Sequence, residues 1–249
     1  MSGDMMLIDV TRCTACRGCQ TACKDWNQLP AEQTRFTGSY ENPSDFTANT
    51  WTRVAFNEVV NGGTMSWYFA KLQCMHCDDP ICAAVCPRQA LYKTEFNVAL
   101  DYDRCNGCGF CQVFCPYEVP RVNHALKKMF KCFMCWDRVL AEKRPACVSA
   151  CPTGALQFGF EKDLLPAAER RVAELRRGGK PRAQLYGAGI GRVLYVLGDV
   201  PEAYKLNPDP VPMLGGQVVE LALRPLQALA VAGIAAKVIM DRVDQGEEQ

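Results

Sequence analysis

Sixteen cysteines in four groups of four constrain this 249-residue chain more than any other feature. The third group is the most regular, because residues 104–116 read RCNGCGFCQVFCP and set cysteines at intervals of three, three and four before a proline. The first group repeats these intervals and is followed by Lys24, while the second and fourth have longer internal gaps and end in Cys-Pro. The groups are Cys13, Cys16, Cys19 and Cys23; Cys74, Cys77, Cys82 and Cys86; Cys105, Cys108, Cys111 and Cys115; and Cys132, Cys135, Cys147 and Cys151.

The pattern C-x2-C-x2-C-x3-C-P is typical of ferredoxin-type iron-sulfur sites. Three thiolates of such a run bind one [4Fe-4S] cluster, and the fourth binds a different cluster. Tight turns let the first three sulfurs converge, and the closing proline fixes the direction of the segment that follows. Because fourth ligands cross over, the groups must come in pairs. The sequence therefore predicts four [4Fe-4S] clusters.

A nested pairing is favoured, in which the second group exchanges ligands with the third and the first with the fourth. A sequential pairing of the first group with the second is less compact, because fifty residues separate Cys23 from Cys74, but it stays open. The ligand sets predicted by nesting are Cys105, Cys108 and Cys111 with Cys86; Cys74, Cys77 and Cys82 with Cys115; Cys13, Cys16 and Cys19 with Cys151; and Cys132, Cys135 and Cys147 with Cys23.

Two other cysteine chemistries compete with clusters. Disulfide frameworks usually belong to much shorter exported chains, and they do not require repeated C-x2-C loops closed by Cys-Pro. Zinc could occupy tetrahedral four-thiolate sites in the second and fourth groups. The C-x2-C-x2-C runs of the first and third groups argue against zinc at all four sites, while zinc at a single site stays open.

The formal net charge of +1 changes when clusters bind. A [4Fe-4S]2+ core with four thiolates carries about −2, so four clusters bring the protein to roughly −7. We expect the metal-free chain to fold poorly, since its thiolates have no other partner. Lys127, Lys128 and Lys131 are interpreted as a solvated face that offsets cluster charge, in preference to a nucleic-acid site.

Local patterns predict a mixture of short strands and helices. Aromatic residues in the first hairpin are expected to pack on the sheet. Residues 201–216, with four prolines, are expected to be irregular and on the surface. The predicted elements are a strand at 5–10, a helix from 19 to 27, a hairpin of 51–60 with 64–71, a helix at 79–86, a hairpin of 90–93 with 98–102, a strand at 155–160, a helix at 166–177 and a strand at 192–197.

Neither end of the chain gives a simple targeting signal. Asp4 and Asp9 interrupt any signal-peptide apolar region, so no cleavable signal is predicted. Residues 218–240 are mostly apolar, but only sixteen residues lie between Arg224 and Asp241, and Lys237 interrupts them. This run is shorter than the ~20 residues needed to cross a bilayer. A membrane span or surface anchor and a helix docked on a partner protein therefore both stay open.

Four stretches carry a family resemblance: RCTACRGCQTACKDWN at 12–27, LPAEQTRFTGSYENPSDF at 29–46, CMHCDDPICAAVCP at 74–87 and CVSACPTGALQFG at 147–159. They resemble the iron-sulfur beta subunit of formate dehydrogenases, within the four-cluster group that serves molybdopterin oxidoreductases. The resemblance implies an α+β fold of two ferredoxin-like units, each binding two [4Fe-4S] clusters. The implied parts are residues 1–72 with 128–200, an inserted unit at 73–127, and a C-terminal extension with a helix at 201–249.

The resemblance also implies partners and a location. The expected partners are a large catalytic subunit with molybdenum or tungsten bound to pterin, and a membrane cytochrome b or soluble cytochrome. Export to the periplasmic side of the inner membrane together with the catalytic subunit is expected, with a cytoplasmic location as the alternative. Nucleic acid is not expected as a partner.

The chain offers no catalytic constellation of its own. His76 and His124 are its only histidines, and it contains no Walker-type or dinucleotide glycine loop. Electron transfer is therefore the leading hypothesis, with the same role beside a polysulfide, dimethyl sulfoxide or nitrate type reductase, or a zinc-bound scaffold, as alternatives. His76 is expected either to pack as a bland imidazole or to tune a cluster by a hydrogen bond. Arg17, Arg88 and Lys24 are candidates for raising cluster potentials.

Overall fold

The computed structural model describes residues 3–209 and has a mixed α and β architecture. The strands are β1 (Asp4–Asp9), β2 (Arg53–Asn61), β3 (Thr64–Leu72), β4 (Leu91–Lys93), β5 (Val98–Leu100), β6 (Arg121–Asn123), β7 (Lys128–Phe130), β8 (Leu156–Phe160), β9 (Gln184–Tyr186) and β10 (Val193–Leu197). The helices are α1 (Gly18–Trp26), α2 (Ile81–Ala84), α3 (Phe110–Phe114), α4 (Trp136–Leu140), α5 (Ala146–Ser149) and α6 (Glu161–Arg177), with 3-10 turns at Val10–Arg12 and Pro201–Tyr204.

The largest sheet has four strands in the order β8, β1, β10, β9. β1 pairs antiparallel with β8 and parallel with β10, which confirms the strand predicted near residue 5. Successive side chains of a strand point to opposite faces. Met5 and Leu7 pack against buried residues of α6, whereas Met6 and Ile8 belong to the main core. β1 is therefore buried on both faces, which explains its continuous apolar run.

Helix α6 covers one face of this sheet. Its buried side chains Ala168, Val172 and Leu175 recur at helical spacing. The predicted helix at 166–177 is confirmed up to its end, but it begins earlier, at Glu161, so that Pro166 lies inside it. Acidic residues in the first turn suit the positive end of the helix dipole, which explains the earlier start.

The hairpin of β2 and β3 is confirmed. Gly62 and Gly63 form its turn with φ of 56° and 83°, values that glycine adopts without steric cost. The rings of Phe56 and Phe69 lie directly across the hairpin, with centroids 5.2 Å apart. Trp67 packs edge-on against Phe69. These contacts confirm that the aromatic residues of this hairpin pack on the sheet.

Some of the shorter helices and strands were predicted from the sequence, and others were not. The hairpin of β4 and β5, the short helix α2 and the strands β8 and β10 are confirmed. The hairpin of β6 and β7, the strand β9 and the helices α4 and α5 were not predicted. Each of these has only three to five residues, too few to show a hydrophobic period.

The prediction that residues 201–216 lie on the surface is wrong for their first part. Pro201, Tyr204 and Leu206 are buried. The Tyr204 hydroxyl accepts a hydrogen bond from the backbone N–H of Gly198 at 3.1 Å, and its ring packs edge-on against Tyr68. Apart from the 3-10 turn at Pro201–Tyr204 the segment is irregular, but its apolar side chains still enter the core.

The remaining predictions for the C-terminal extension, including the apolar run at 218–240, fall outside the described residues. Within residues 3–209 the structure has no helix that is both long and apolar enough to cross a bilayer.

Candidate metal centres

The first cysteine site, site A, comprises Cys13, Cys16, Cys19 and Cys151. The first two lie before α1, Cys19 lies in that helix, and Cys151 follows α5. All four line one cavity of about 390 Å³, part of which is open to solvent. Burial raises the pKa of Cys19 to about 12, and the neighbouring thiolates of Cys13 and Cys16 act in the same direction. The structure thus brings Cys151 next to three cysteines that precede it by more than 130 residues in the sequence.

The second site, site B, comprises Cys23, Cys132, Cys135 and Cys147. Burial raises the pKa of Cys23 well above its usual value, and the other three cysteines, led by Cys132, raise it further. Contact between α1 and α5 brings Cys23 and Cys147 to one place. Cys23, Cys132 and Cys147 are all buried. This site also joins distant parts of the sequence.

The third site, site C, comprises Cys74, Cys77, Cys82 and Cys115. Burial raises the pKa of Cys82 well above its usual value; Lys131 opposes the shift, while the other three cysteines of the site add to it. Burial and the adjoining Cys74 and Cys115 thiolates likewise raise the pKa of Cys77 to about 12. Three of these cysteines come from the second sequence group, and Cys115 comes from the third.

The fourth site, site D, comprises Cys86, Cys105, Cys108 and Cys111. All four line one cavity, which is partly open to solvent. Burial raises the pKa of Cys111 to about 12, and Cys108, Cys86 and Cys105 raise it further. No basic residue is among the main causes of this shift, whereas Lys71 or Lys131 is a main cause for the corresponding cysteines of the other three sites.

The four sites adjoin one another in the order A, B, C, D. Cys19 of site A lies near Cys147 of site B. Cys74 of site C packs against the apolar cluster that contains Cys23 and Cys132 of site B. Cys82 of site C shares an apolar cluster with Cys111 of site D. Sites A and D are therefore the two ends of a continuous series.

Left-handed backbone conformations shape the cysteine loops. The residues that precede α1, α3 and α4 all have positive φ, namely Arg17 at 61°, Gly109 at 85° and Cys135 at 49°. Such turns let consecutive sulfurs face one centre before the helix leaves. A side chain at Gly107 would place its Cβ 2.6 Å from the backbone of Lys127, so only glycine fits there.

Backbone N–H groups point at several sulfurs, an arrangement that stabilises thiolate ligands and influences cluster potential. At site A, burial raises the pKa of Cys151, but hydrogen bonds from nearby backbone N–H groups and from Thr153 outweigh it and lower the pKa. The N–H to Sγ pairs at the other sites are His76 to Cys74 at 3.4 Å, Ala90 to Cys86 at 3.3 Å and Met134 to Cys132 at 3.4 Å.

Lys71 is a fully buried cation between sites A and B, and the sequence did not predict its role. Burial lowers its pKa, but neighbouring thiolates outweigh burial and raise the pKa overall. Its ammonium donates a hydrogen bond to the Gln73 side chain. The thiolates that act on it most strongly are those of Cys147, Cys19, Cys132 and Cys23.

The interpretation of Lys131 as part of a solvated face is wrong. Its side chain is buried and donates hydrogen bonds to the carbonyl oxygens of Val98 and Cys132. It acts electrostatically on Cys77, Cys82 and Cys115 of site C. The lysine charge is worth more beside buried thiolates than in water, which explains its burial. Lys127 is exposed, as expected.

The other basic candidates differ in position. Arg17 lines the cavity of site A, and its guanidinium lies 4.9 Å from the centre of the Phe56 ring. Arg88 is exposed and lines the cavity of site D. Lys24 donates hydrogen bonds to the carbonyl oxygens of Pro30 and Asn49, so it anchors the loop that follows α1.

The geometry suits a cluster better than a single metal ion. All sixteen cysteines are free thiols. Within residues 3–209, no three His, Cys, Asp or Glu side chains converge closely enough to bind one ion. A [4Fe-4S] cube keeps its thiolates farther apart than a tetrahedral zinc ion does. Cysteines around a cavity, with backbone N–H groups aimed at sulfur, fit that larger group.

Comparison with known proteins agrees with this chemistry. Residues 65–161 match the family model of a 4Fe-4S dicluster domain. The chain is 39% identical over 248 residues to the iron-sulfur subunit of the nitrate-inducible formate dehydrogenase of Escherichia coli. The aligned region covers 96% of this chain and 84% of that relative. The structure and this match together indicate that the protein binds [4Fe-4S] clusters.

Two further relatives extend the comparison. The beta subunit of formate dehydrogenase 2 (cytochrome c-553) of Nitratidesulfovibrio vulgaris is 39% identical over 211 residues, which is 80% of this chain and 94% of that relative. The B subunit of the anaerobic dimethyl sulfoxide reductase of Escherichia coli is 39% identical over 153 residues, which is 61% of this chain and 71% of that relative.

Proposed function

This protein belongs to the family of formate dehydrogenase iron-sulfur subunits, and from that membership we propose that it carries electrons in a formate dehydrogenase complex. Its electron donor or acceptor on one side is a catalytic subunit with molybdenum or tungsten bound to pterin. On the other side lies a membrane cytochrome b or a soluble cytochrome. The name of one relative includes cytochrome c-553, which supports a cytochrome as partner.

The observation that best supports electron transfer is the continuous series of sites A to D. We assign one [4Fe-4S] cluster to each site, with the four cysteines of that site as its ligands. Each cluster supplies a one-electron redox couple when bound. The protein contributes the spacing of the ligands, the buried lysines Lys71 and Lys131, and apolar clusters around ligands of sites B, C and D.

The same assignment supports two ferredoxin-like units. Sites A and B draw their ligands from residues 13–23 and 132–151, which meet through α1, α5 and the four-stranded sheet. Sites C and D draw theirs from residues 74–115. This division matches an outer unit of residues 1–72 with 128–200 and an inserted unit of 73–127.

The chain itself is proposed to be non-catalytic. His76 is enclosed in the core and has, among residues 3–209, no acidic partner of the kind that a catalytic histidine needs. Formate oxidation is thus assigned to the pterin subunit. We propose that the complex works on the periplasmic side of the inner membrane and that this chain is exported together with the catalytic subunit.

Anaerobic purification of the native complex tests this function. We expect a large pterin-containing subunit to accompany the chain, about sixteen iron atoms per chain if each site holds four, and formate-dependent reduction of viologen. An intact complex that is inert to formate but oxidises reduced viologen with dimethyl sulfoxide as the electron acceptor would instead support the second candidate, which the match to a dimethyl sulfoxide reductase subunit favours. A colourless chain with stoichiometric zinc would refute the electron-transfer role.

A further inference from the structure

His76 is a buried histidine with one unsatisfied nitrogen. Its side chain is fully buried inside the loop from Cys74 to Cys77. Nδ1 accepts a hydrogen bond from the backbone N–H of Val98 at 3.1 Å, so the ring proton lies on Nε2. Nε2 has no hydrogen-bond partner among the described residues. Leaving a buried donor without an acceptor is unfavourable, so a partner is expected.

Tyr186 presents a second unsatisfied donor at the same place. Its residue is 4% exposed, and its hydroxyl has no partner among residues 3–209. Its ring packs edge-on against Tyr195 with centroids 5.8 Å apart, which restrains its orientation. Burial raises the pKa of Tyr186, and the Cys77 thiolate raises it further, which places the hydroxyl near site C.

The segment after Tyr186 is fitted tightly against the loop that carries His76. The backbone N–H of Arg192 donates to the carbonyl oxygen of Met75 at 3.1 Å. Gly191 forms a bridge with Cys77, and a Cβ there would stand 2.7 Å from the Cys77 Cα. The main-chain positions of Tyr186 and His76 are therefore both fixed relative to site C.

The equivalent loop of site B shows that a histidine is not needed for folding. Met134 and His76 are each the third residue of a C-x2-C loop, with φ of 59° and 49°. Both are almost completely buried, and each donates its backbone N–H to the first cysteine of its loop. Since methionine fills this position without a polar group, the imidazole at site C calls for an explanation other than packing.

We propose that His76 and Tyr186 donate N–H···S and O–H···S hydrogen bonds to the cluster at site C and thereby raise its reduction potential. Donors to sulfur stabilise the more negative, reduced cluster, which is why they raise the potential. The inference rests on the proposed function, because it requires the cluster at site C. It assigns to these two residues a tuning role at one site of the series.

Two variants of the whole complex test this proposal: Tyr186→Phe, which removes one oxygen atom, and His76→Met, which copies the residue of the equivalent loop. Potentiometric titration followed by electron paramagnetic resonance should show a lower potential for the same single cluster in both variants. A tenfold change in the reduction equilibrium, about the worth of one hydrogen bond, corresponds to 59 mV for one electron. Tyr204→Phe is the matched control, because its hydroxyl already pairs with Gly198.

The outcomes separate this inference from the proposed function. A native complex without [4Fe-4S] signals would overturn both. Normal native signals with unchanged potentials in Tyr186→Phe, at full iron and sulfide content, would overturn the tuning role alone, and so would an equal shift in Tyr204→Phe. If His76→Met fails to assemble, the titration of Tyr186→Phe still decides the question.

Discussion

Replacement of Lys71 by methionine is expected to lower the potentials of two clusters at once. Lys71 is buried between sites A and B, where the four thiolates that act on it most strongly are one from site A and three from site B. Its positive charge favours the added electron of a reduced cluster. Methionine retains most of the length and the apolar contacts of lysine while it removes that charge. The backbone carbonyl of Lys71, which accepts the Tyr195 hydroxyl at 3.0 Å, stays in place.

The size of the effect follows from Coulomb's law. A unit charge roughly 8 Å from a cluster, at an effective dielectric constant of about 20, interacts with an added electron by about 2 kcal/mol. For a one-electron couple this is a fall of roughly 90 mV. Because three of the four thiolates belong to site B, the larger fall is expected there. Sites C and D should change little.

Potentiometric titration of the intact complex measures these shifts. The exposed Lys162, whose ammonium lies 5.4 Å from the centre of the Phe160 ring, provides the matched control Lys162→Met. The reasoning is refuted if Lys71→Met keeps full iron content and moves only one cluster, or moves none. Equal shifts of the potentials in Lys162→Met would also refute it, because they would show that the loss of any positive charge lowers the potentials, wherever that charge lies.

Three further predictions address other parts of the molecule. Arg17→Glu should lower the reduction potential of the cluster at site A, and Arg17→Gln should lower it by about half as much. The same titration measures both, and an unchanged potential in Arg17→Glu would contradict the prediction. Glu41 is buried and paired with Arg53 and Lys205 at 2.7 and 2.6 Å, so Glu41→Gln should cost about 3 kcal/mol in chemical unfolding. Burial raises the pKa of Glu41, but its partners, led by Lys205, lower it overall. The ionised carboxylate therefore contributes fully to the free energy of unfolding above its ordinary pKa of about 4.3, and this contribution is lost as the pH falls through the lower pKa of the folded state. Anaerobic removal of iron should abolish near-ultraviolet circular dichroism, and a retained spectrum would show that the core does not need its clusters.

Local signals in the sequence predicted those parts of the fold that depend on local chemistry. The glycine turn after Asn61 determined the hairpin of β2 and β3, and the alternation of its aromatic residues determined their packing. The cysteine intervals predicted iron-sulfur chemistry because ligand spacing is itself local. The pairing of the cysteine groups stays a prediction, although the structure places the cysteines of each predicted set near one another.

Features that depend on distant contacts were not predictable in the same way. Lys71 lies in the buried C-terminal part of β3, and nothing local marks it as the cation beside two sites. Lys131 lies in a basic run typical of a surface, yet distant thiolates favour its burial. Tyr186 belongs to a three-residue strand whose position depends on β10. Electrostatic neighbours of a metal site are set by packing between units, which spacing along the chain does not encode.

The place of β1 in its sheet has a consequence for biosynthesis. β1 is complete by Asp9, but β8 and β10, its two neighbours, end at Phe160 and Leu197. At about 5–20 residues per second, a nascent chain keeps this apolar strand without its sheet partners for roughly 10–40 s. Unpaired apolar strands are prone to aggregate. The N-terminal end of the chain is therefore where a ribosome-associated chaperone would be needed first.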